Sequence, residues 1–210
     1  MGGTALAGDD PGDSPDRSAP PTQEESSMKK QAGTATATAA APAVQIPNFI
    51  KEGQFRRPAA APDPSVEVRS PEPEAMRPWD VTGGSVVVYS PSLAHAGHQA
   101  VDIGAAVLEQ DFEAPVGAKV EITWMHSRNT DASCPAMNQA YGAAVWLGDT
   151  QVVAHSYEPD GVGFVAIPSK LTLKFTVNSA APYTLKFTGR TPDSCGALIY
   201  NVVGQGVGRS

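Results

Sequence analysis

"AKVEITWMHS" (Ala118 to Ser127) and "KLTLKFTV" (Lys170 to Val177) decide the fold class. Successive side chains of an extended strand point to opposite faces, so Val120, Ile122 and Trp124 share one face while Glu121 and Thr123 share the other. The second run behaves alike, with Leu171, Leu173, Phe175 and Val177 on the apolar face. Neither run carries a helical stripe. A strand that is apolar on one face needs a second layer to cover it, and two packed sheets in a jelly-roll arrangement are the economical solution.

Similar runs lie on both sides of these two. "SVVVY" (Ser85 to Tyr89), "QAVDIG" (Gln99 to Gly104), "AVLEQDFEA" (Ala106 to Ala114) and "GAAVWLG" (Gly142 to Gly148) are followed by "TQVVAHSY", "GFVAIP", "YTLKFTG" and "ALIYNVV". Short strands recurring about every 8 to 12 residues between Gly, Pro, Asn and Asp predict an all-β antiparallel jelly-roll β-sandwich with almost no helix. The Pro-rich stretch from Ala59 to Pro78 reads as a surface connection rather than a central strand, because proline cannot donate to a ladder.

Composition divides the chain. Residues 1–43 are Ala, Thr, Pro, Gly, Ser, Asp and Glu with almost no large apolar side chain, so ordering them would cost entropy without burial to offset it. They read as a disordered tail, residues 44–204 as the sandwich domain and 205–210 as a short flexible C-terminus. The formal net charge is -7 and the 15 Lys and Arg residues form no basic stripe, which argues against nucleic acid as a partner. No apolar stretch approaches the ~20 residues of a membrane-spanning helix. "MGGTALAGDDPGD" turns acidic before any apolar segment develops, and a start at Met28 has a basic head but no large apolar centre, so no clear signal peptide is legible.

Several segments together resemble a known family. "NFIKEGQFRRP", "RPWDVTGGSVVVY", "HQAVDIG", "LEQDFEAPVGAKVEITW" and the closing "LKFTGRTPDSCGALIYNV" are similar, in order from about Ile46 to Val203, to the domain of unknown function 642 (DUF642) family of plant cell-wall and bacterial extracellular proteins. The family's Asn-Gly is Glu52-Gly53 here, its strand Asp is Met125, and its Asp-Asn-Val is Tyr200-Asn201-Val202. The resemblance implies a galactose-binding-like jelly roll and association with polysaccharide or cell wall. The chain has two cysteines, Cys134 and Cys195, both in polar loops; on their residues alone they are either buried free thiols or a bridge. The resemblance implies the bridge, and with it an extracellular or cell-wall location.

Chemistry-bearing motifs are sparse. There is no nucleophile elbow, phosphate loop or metalloprotease helix. Glu109, Asp111 and Glu113 alternate with Leu108 and Phe112 and read as one solvated strand face rather than a glycosidase pair, so the chain is not expected to be an enzyme. His95 and His98 in "AHAGH" are too few for zinc, and His126 follows the inward register of Trp124 as a core or rim histidine. No cofactor is expected; structural calcium stays open, since "RNTDAS" (Arg128 to Ser133) carries oxygen ligands without calcium spacing.

Binding has the better case. A sugar offers an apolar C–H face ringed by hydroxyls, so its site needs an aromatic platform beside polar side chains. Trp146 is out of phase with Val145 and Leu147 and should leave the core face, whereas Trp79 and Trp124 occupy apolar slots and read as core. Tyr141, Asn138 and Gln139 are near Trp146 in sequence and Tyr157 is expected on the neighbouring strand. The expected function is a carbohydrate-binding module with a polysaccharide partner; the alternatives are an adhesion or structural domain binding a cell-surface protein and, last, a small hydrolase.

Overall fold

A computed structural model describes residues 47–72, 74–94, 98–131, 133–134, 138–159, 169–191 and 195–206. The expected tail over 1–43, the "GFVAIP" strand and His95 lie outside these residues. Wherever β-branched and aromatic residues alternate with polar ones, a strand forms: β1 (Ser65–Arg69), β2 (Asp80–Gly83), β3 (Ser85–Tyr89), β4 (Ala100–Asp102), β5 (Val107–Phe112), β6 (Lys119–Ser127), β7 (Tyr141–Leu147), β8 (Thr150–Tyr157), β9 (Ser169–Thr176), β10 (Tyr183–Gly189) and β11 (Leu198–Gly206). One helical turn, α1 (Pro91–Ala94), follows β3.

The strands form two antiparallel sheets, a six-stranded one in the order β1-β3-β4-β11-β6-β9 and a five-stranded one in the order β2-β5-β10-β7-β8. This is the expected jelly-roll sandwich. Three boundaries differ from expectation. The Pro-rich connection contains β1, whose five residues all pair with β3 at the sheet edge, where its flanking prolines take no place in a ladder. "DVTG" is also a strand, β2, and β11 continues through Gly206, so the domain runs past residue 204.

The inner faces meet in one core. Val86, Val88, Val120, Ile122, Trp124 and Leu173 from the six-stranded sheet pack against Leu108, Phe112, Tyr141, Val145, Leu185 and Phe187 from the other. Trp79 is 1% exposed and Trp124 0%, so both are core, and each indole has an acceptor: Glu52 O at 3.2 Å and Tyr141 Oη at 2.8 Å. Trp124 stands edge-on to Phe187 and to Tyr157, whose ring stacks on Tyr141. His126 is buried with Nδ1 3.0 Å from Tyr141 Oη, a satisfied core histidine.

Buried polar side chains hold the loops onto this core. Gln99 accepts from Ala60 N and donates to the carbonyls of Phe55 and Pro58, Gln110 exchanges two bonds with the backbone of Lys51, and Asn48 Oδ1 accepts from Gly204 N at 2.9 Å. Asp102 closes the other end. Its Oδ1 accepts from Gly104 N (2.8 Å) and Gly196 N (2.7 Å), and its Oδ2 accepts from Asn129 Nδ2 (2.7 Å). Beside this knot Cys134 and Cys195 are disulfide-bonded, with α-carbons 5.3 Å apart, and the described residues contain no free cysteine.

The outer faces are treated differently. On the six-stranded sheet, α1 lays Ala94 and Leu93 over Tyr89, Ala100, Leu198 and Tyr200, forming a second apolar cluster. Among the described residues the five-stranded sheet carries no such cover at β7 and β8, and that is where the half-buried Trp146 lies.

Candidate functional site

Trp146 sits at the end of β7, one residue before a hairpin turn. Leu147 pairs with Thr150, leaving Gly148-Asp149 as a two-residue loop, and Gly148 adopts φ +54°, a conformation that glycine reaches without a Cβ penalty. The β7–β8 register slips between Val145 and Trp146, so Trp146 faces Gln151 rather than Val152. Such a bulge bends the strand locally and re-aims the adjacent side chain. The indole is half-buried on the outer face, as its parity predicts.

The neighbours of Trp146 on that face follow from strand pairing. Thr184 of β10 lies opposite Trp146, Lys186 opposite Ala144, and Thr188 opposite Gly142; on the other side Ala144 faces Ala154 and Gly142 faces Ser156. Small side chains at Gly142, Ala144, Ala154 and Ser156 therefore leave a depression, walled by Trp146, Gln151, Lys186, Thr188 and Arg190, with a volume of about 310 Å³. It is an open groove across three strands. Arg190 reaches over its floor, with Nη2 3.6 Å from where a Cβ on Gly142 would stand.

Lys186 joins the groove to the next strand. Its Nζ is 2.7 Å from Glu109 Oε2 on β5 and 6.0 Å from the centre of the Trp146 ring. At that distance the ammonium is attracted to the ring's negative face, and the side chain is held between the carboxylate and the indole. Asp111, the next outward residue of β5, accepts a hydrogen bond from Thr184 Oγ1 at 2.6 Å. These carboxylates are thus on the solvated strand face anticipated from the sequence, beside the groove rather than in its wall.

Of the expected ligand-binding residues, the structure brings only Trp146 to the groove. Tyr141 is 0% exposed: it shares parity with Ala143 and Val145, so its ring points into the sandwich, and burial pushes its hydroxyl well above the usual range for tyrosine. Tyr157 does pair with Tyr141 on the neighbouring strand, but that register turns it inward as well, against Trp124. Gln139 is buried and exchanges two hydrogen bonds with the backbone of Asn129, closing the loop between β6 and β7. Asn138 is exposed, but its Oδ1 accepts from Ala140 N in a local turn away from the groove. Lys186, Thr188, Arg190 and Gln151 take the places expected for them.

The oxygen-rich "RNTDAS" loop is committed internally. Asn129 binds Asp102, and Asp131 Oδ1 accepts from Ser133 N and Oγ. Among the described residues no group of three or more His, Cys, Asp or Glu could hold a metal ion, and no helix is long and apolar enough to cross a membrane.

No protein-family model and no curated protein matches the chain in sequence. Solved structures match it in fold. A Stig cyclase from Fischerella sp. TAU in complex with (3Z)-3-(1-methyl-2-pyrrolidinylidene)-3H-indole superposes with a TM-score of 0.52 at 15% identity, covering 80% of this chain and 100% of that one. A cyclase from the same organism in complex with 4-(1H-indol-3-yl)butan-2-one gives 0.51 at 17% identity, with coverage of 80% and 100%. The module TmCBM61 in complex with beta-1,4-galactotriose gives 0.43 at 11% identity, covering 75% of this chain and 97% of that one. At these identities the likeness is one of fold. It corrects one expectation: enzymes are built on this fold, so the lack of a familiar catalytic motif does not make the chain a non-enzyme.

Proposed function

We propose that the protein binds carbohydrate in the groove on the outer face of the five-stranded sheet. The observation that carries this reading is the half-buried Trp146 standing beside a floor of Gly142, Ala144, Ala154 and Ser156. An indole next to a shallow, small-residue floor accepts the C–H face of a pyranose, while Lys186, Thr188, Gln151 and Arg190 reach its hydroxyls. The groove is open and solvated, so the affinity of one site is modest and gains from repeated contact along a polymer.

The proposal includes an extracellular or cell-wall place of action and kinship with the DUF642 family. The Cys134–Cys195 bridge supports the first, since disulfides persist in oxidising compartments. The test is retention on a panel of immobilised polysaccharides. Wild type should be retained by at least one of them, and both Trp146→Ala and the groove-filling Ala154→Phe should lose that retention without losing the fold. A blank panel for the wild type, or full retention by both variants, refutes the reading.

A further inference from the structure

The charges in the groove say more about the ligand than its shape does. The charged side chains in its lining, Lys186 and Arg190, are both cations, and no carboxylate is among the lining residues. This stands against a chain whose formal net charge is -7. At physiological salt the screening length is about 8 Å, so distant carboxylates contribute little at the groove while a ligand touching Arg190 feels its full charge.

We propose that the ligand is an acidic polysaccharide, a polymer of hexuronic acids, whose carboxylates engage Arg190 and Lys186 while a sugar ring rests on Trp146. The inference rests on the carbohydrate-binding reading and adds the charge class. Lys186 lies within β10 and Arg190 directly follows its last residue, Gly189, so the two are four residues apart, a span of about 13 Å in extended chain. Both line the groove on the outer face, as does Thr188 between them. A polymer carrying one carboxylate per ring meets cations spaced in this way at more than one point, which a neutral glycan does not. Arg190 is exposed and has no carboxylate within ion-pair distance among the described residues. Its planar guanidinium suits bidentate capture of a carboxylate. Lys186 is different: Glu109 already holds its ammonium, so that neighbouring carboxylate competes with the ligand for the same charge.

The competition makes the inference testable in both directions. The full chain is run by affinity electrophoresis through polygalacturonate and through the same polymer with its carboxyls methyl-esterified. Wild type should be retarded about tenfold more strongly by the free acid, with that excess lost on going from about 0.1 M to about 1 M salt. Arg190→Gln should remove about tenfold of the retardation. Glu109→Gln, which releases Lys186, should increase it. Equal or stronger retardation by the ester, or no loss in Arg190→Gln together with no gain in Glu109→Gln, overturns the acidic class while glycan binding stands. Retardation by neither polymer, with a blank panel of neutral polysaccharides, overturns both.

Discussion

Removing the carboxyl of Asp102 should unfold the sandwich from one end. Asp102→Ala leaves the N–H groups of Gly104 and Gly196 and the amide of Asn129 without their acceptor, in a site where Asp102 itself is 1% exposed. A buried donor left unpaired costs about 1 to 3 kcal/mol, and a water entering the space of the lost carboxyl recovers part of it, so the loss should be about 3 kcal/mol. Against a typical domain stability of about 5–15 kcal/mol this is a large fraction. Asp102→Asn keeps an oxygen for the two backbone donors and turns its own amide toward that of Asn129, so it should lose about 1 kcal/mol. Urea unfolding at pH 7 with the disulfide intact measures both. Burial also pushes the Asp102 carboxyl up to about 7, against the pull of its three N–H partners. The folded carboxyl therefore keeps a proton over a range where the unfolded one, near its ordinary value of about 4, has lost it. Stability should fall as pH rises from about 4 to about 7, and that slope should flatten in Asp102→Asn. If Asp102→Ala matches Asp102→Asn, or stability rises with pH over that window in wild type but not in Asp102→Asn, the knot does not hold the fold in this way.

Two further outcomes follow from the same end of the molecule and from its opposite. Replacing Cys134 and Cys195 together by Ser opens a loop with a sequence separation of 61, which in the chain-entropy model removes about 4 kcal/mol, seen as a lower urea midpoint. An unchanged midpoint would mean the unfolded chain is not restrained by the bridge. Gly53→Ala should destabilise by more than about 1 kcal/mol, since its Cβ would lie 1.9 Å from the carbonyl oxygen of Val202 and neither backbone has a flexible tip to yield. A melting temperature equal to wild type would show that the two segments separate freely.

What the sequence disclosed and what it hid have separate causes. Strand parity is local, and it placed Val120, Ile122, Trp124 and Leu173 in the core and Trp146 outside it. The same parity, extended one residue before "GAAVWLG", puts Tyr141 in phase with Ala143 and Val145, a signal that points inward however near Tyr141 is to Trp146 in sequence. Strand order is not local. That β10 lies between β5 and β7 follows from the closed sandwich, and only that order sets Lys186 between Glu109 and Trp146. The flanking prolines of β1 hide it in the sequence, and the roles of Gln99, Gln110 and Asp102 depend on loops distant in the chain, which local alternation does not show.

Asn48 and Phe49 are tied directly to Gly204, through a side-chain oxygen and a backbone N–H at 3.1 Å. The first and last described segments of the domain therefore leave the sandwich side by side. A tether pulled from both ends loads this clasp, and the Val202 to Gly53 bond next to it, before it loads either sheet. Groove and core take no part in the clasp, so the shape of the groove should survive traction that already parts the N-terminal segment from β11. The same adjacency lets the sandwich be cut elsewhere and rejoined here by a short linker, with its strand order rotated and its groove intact.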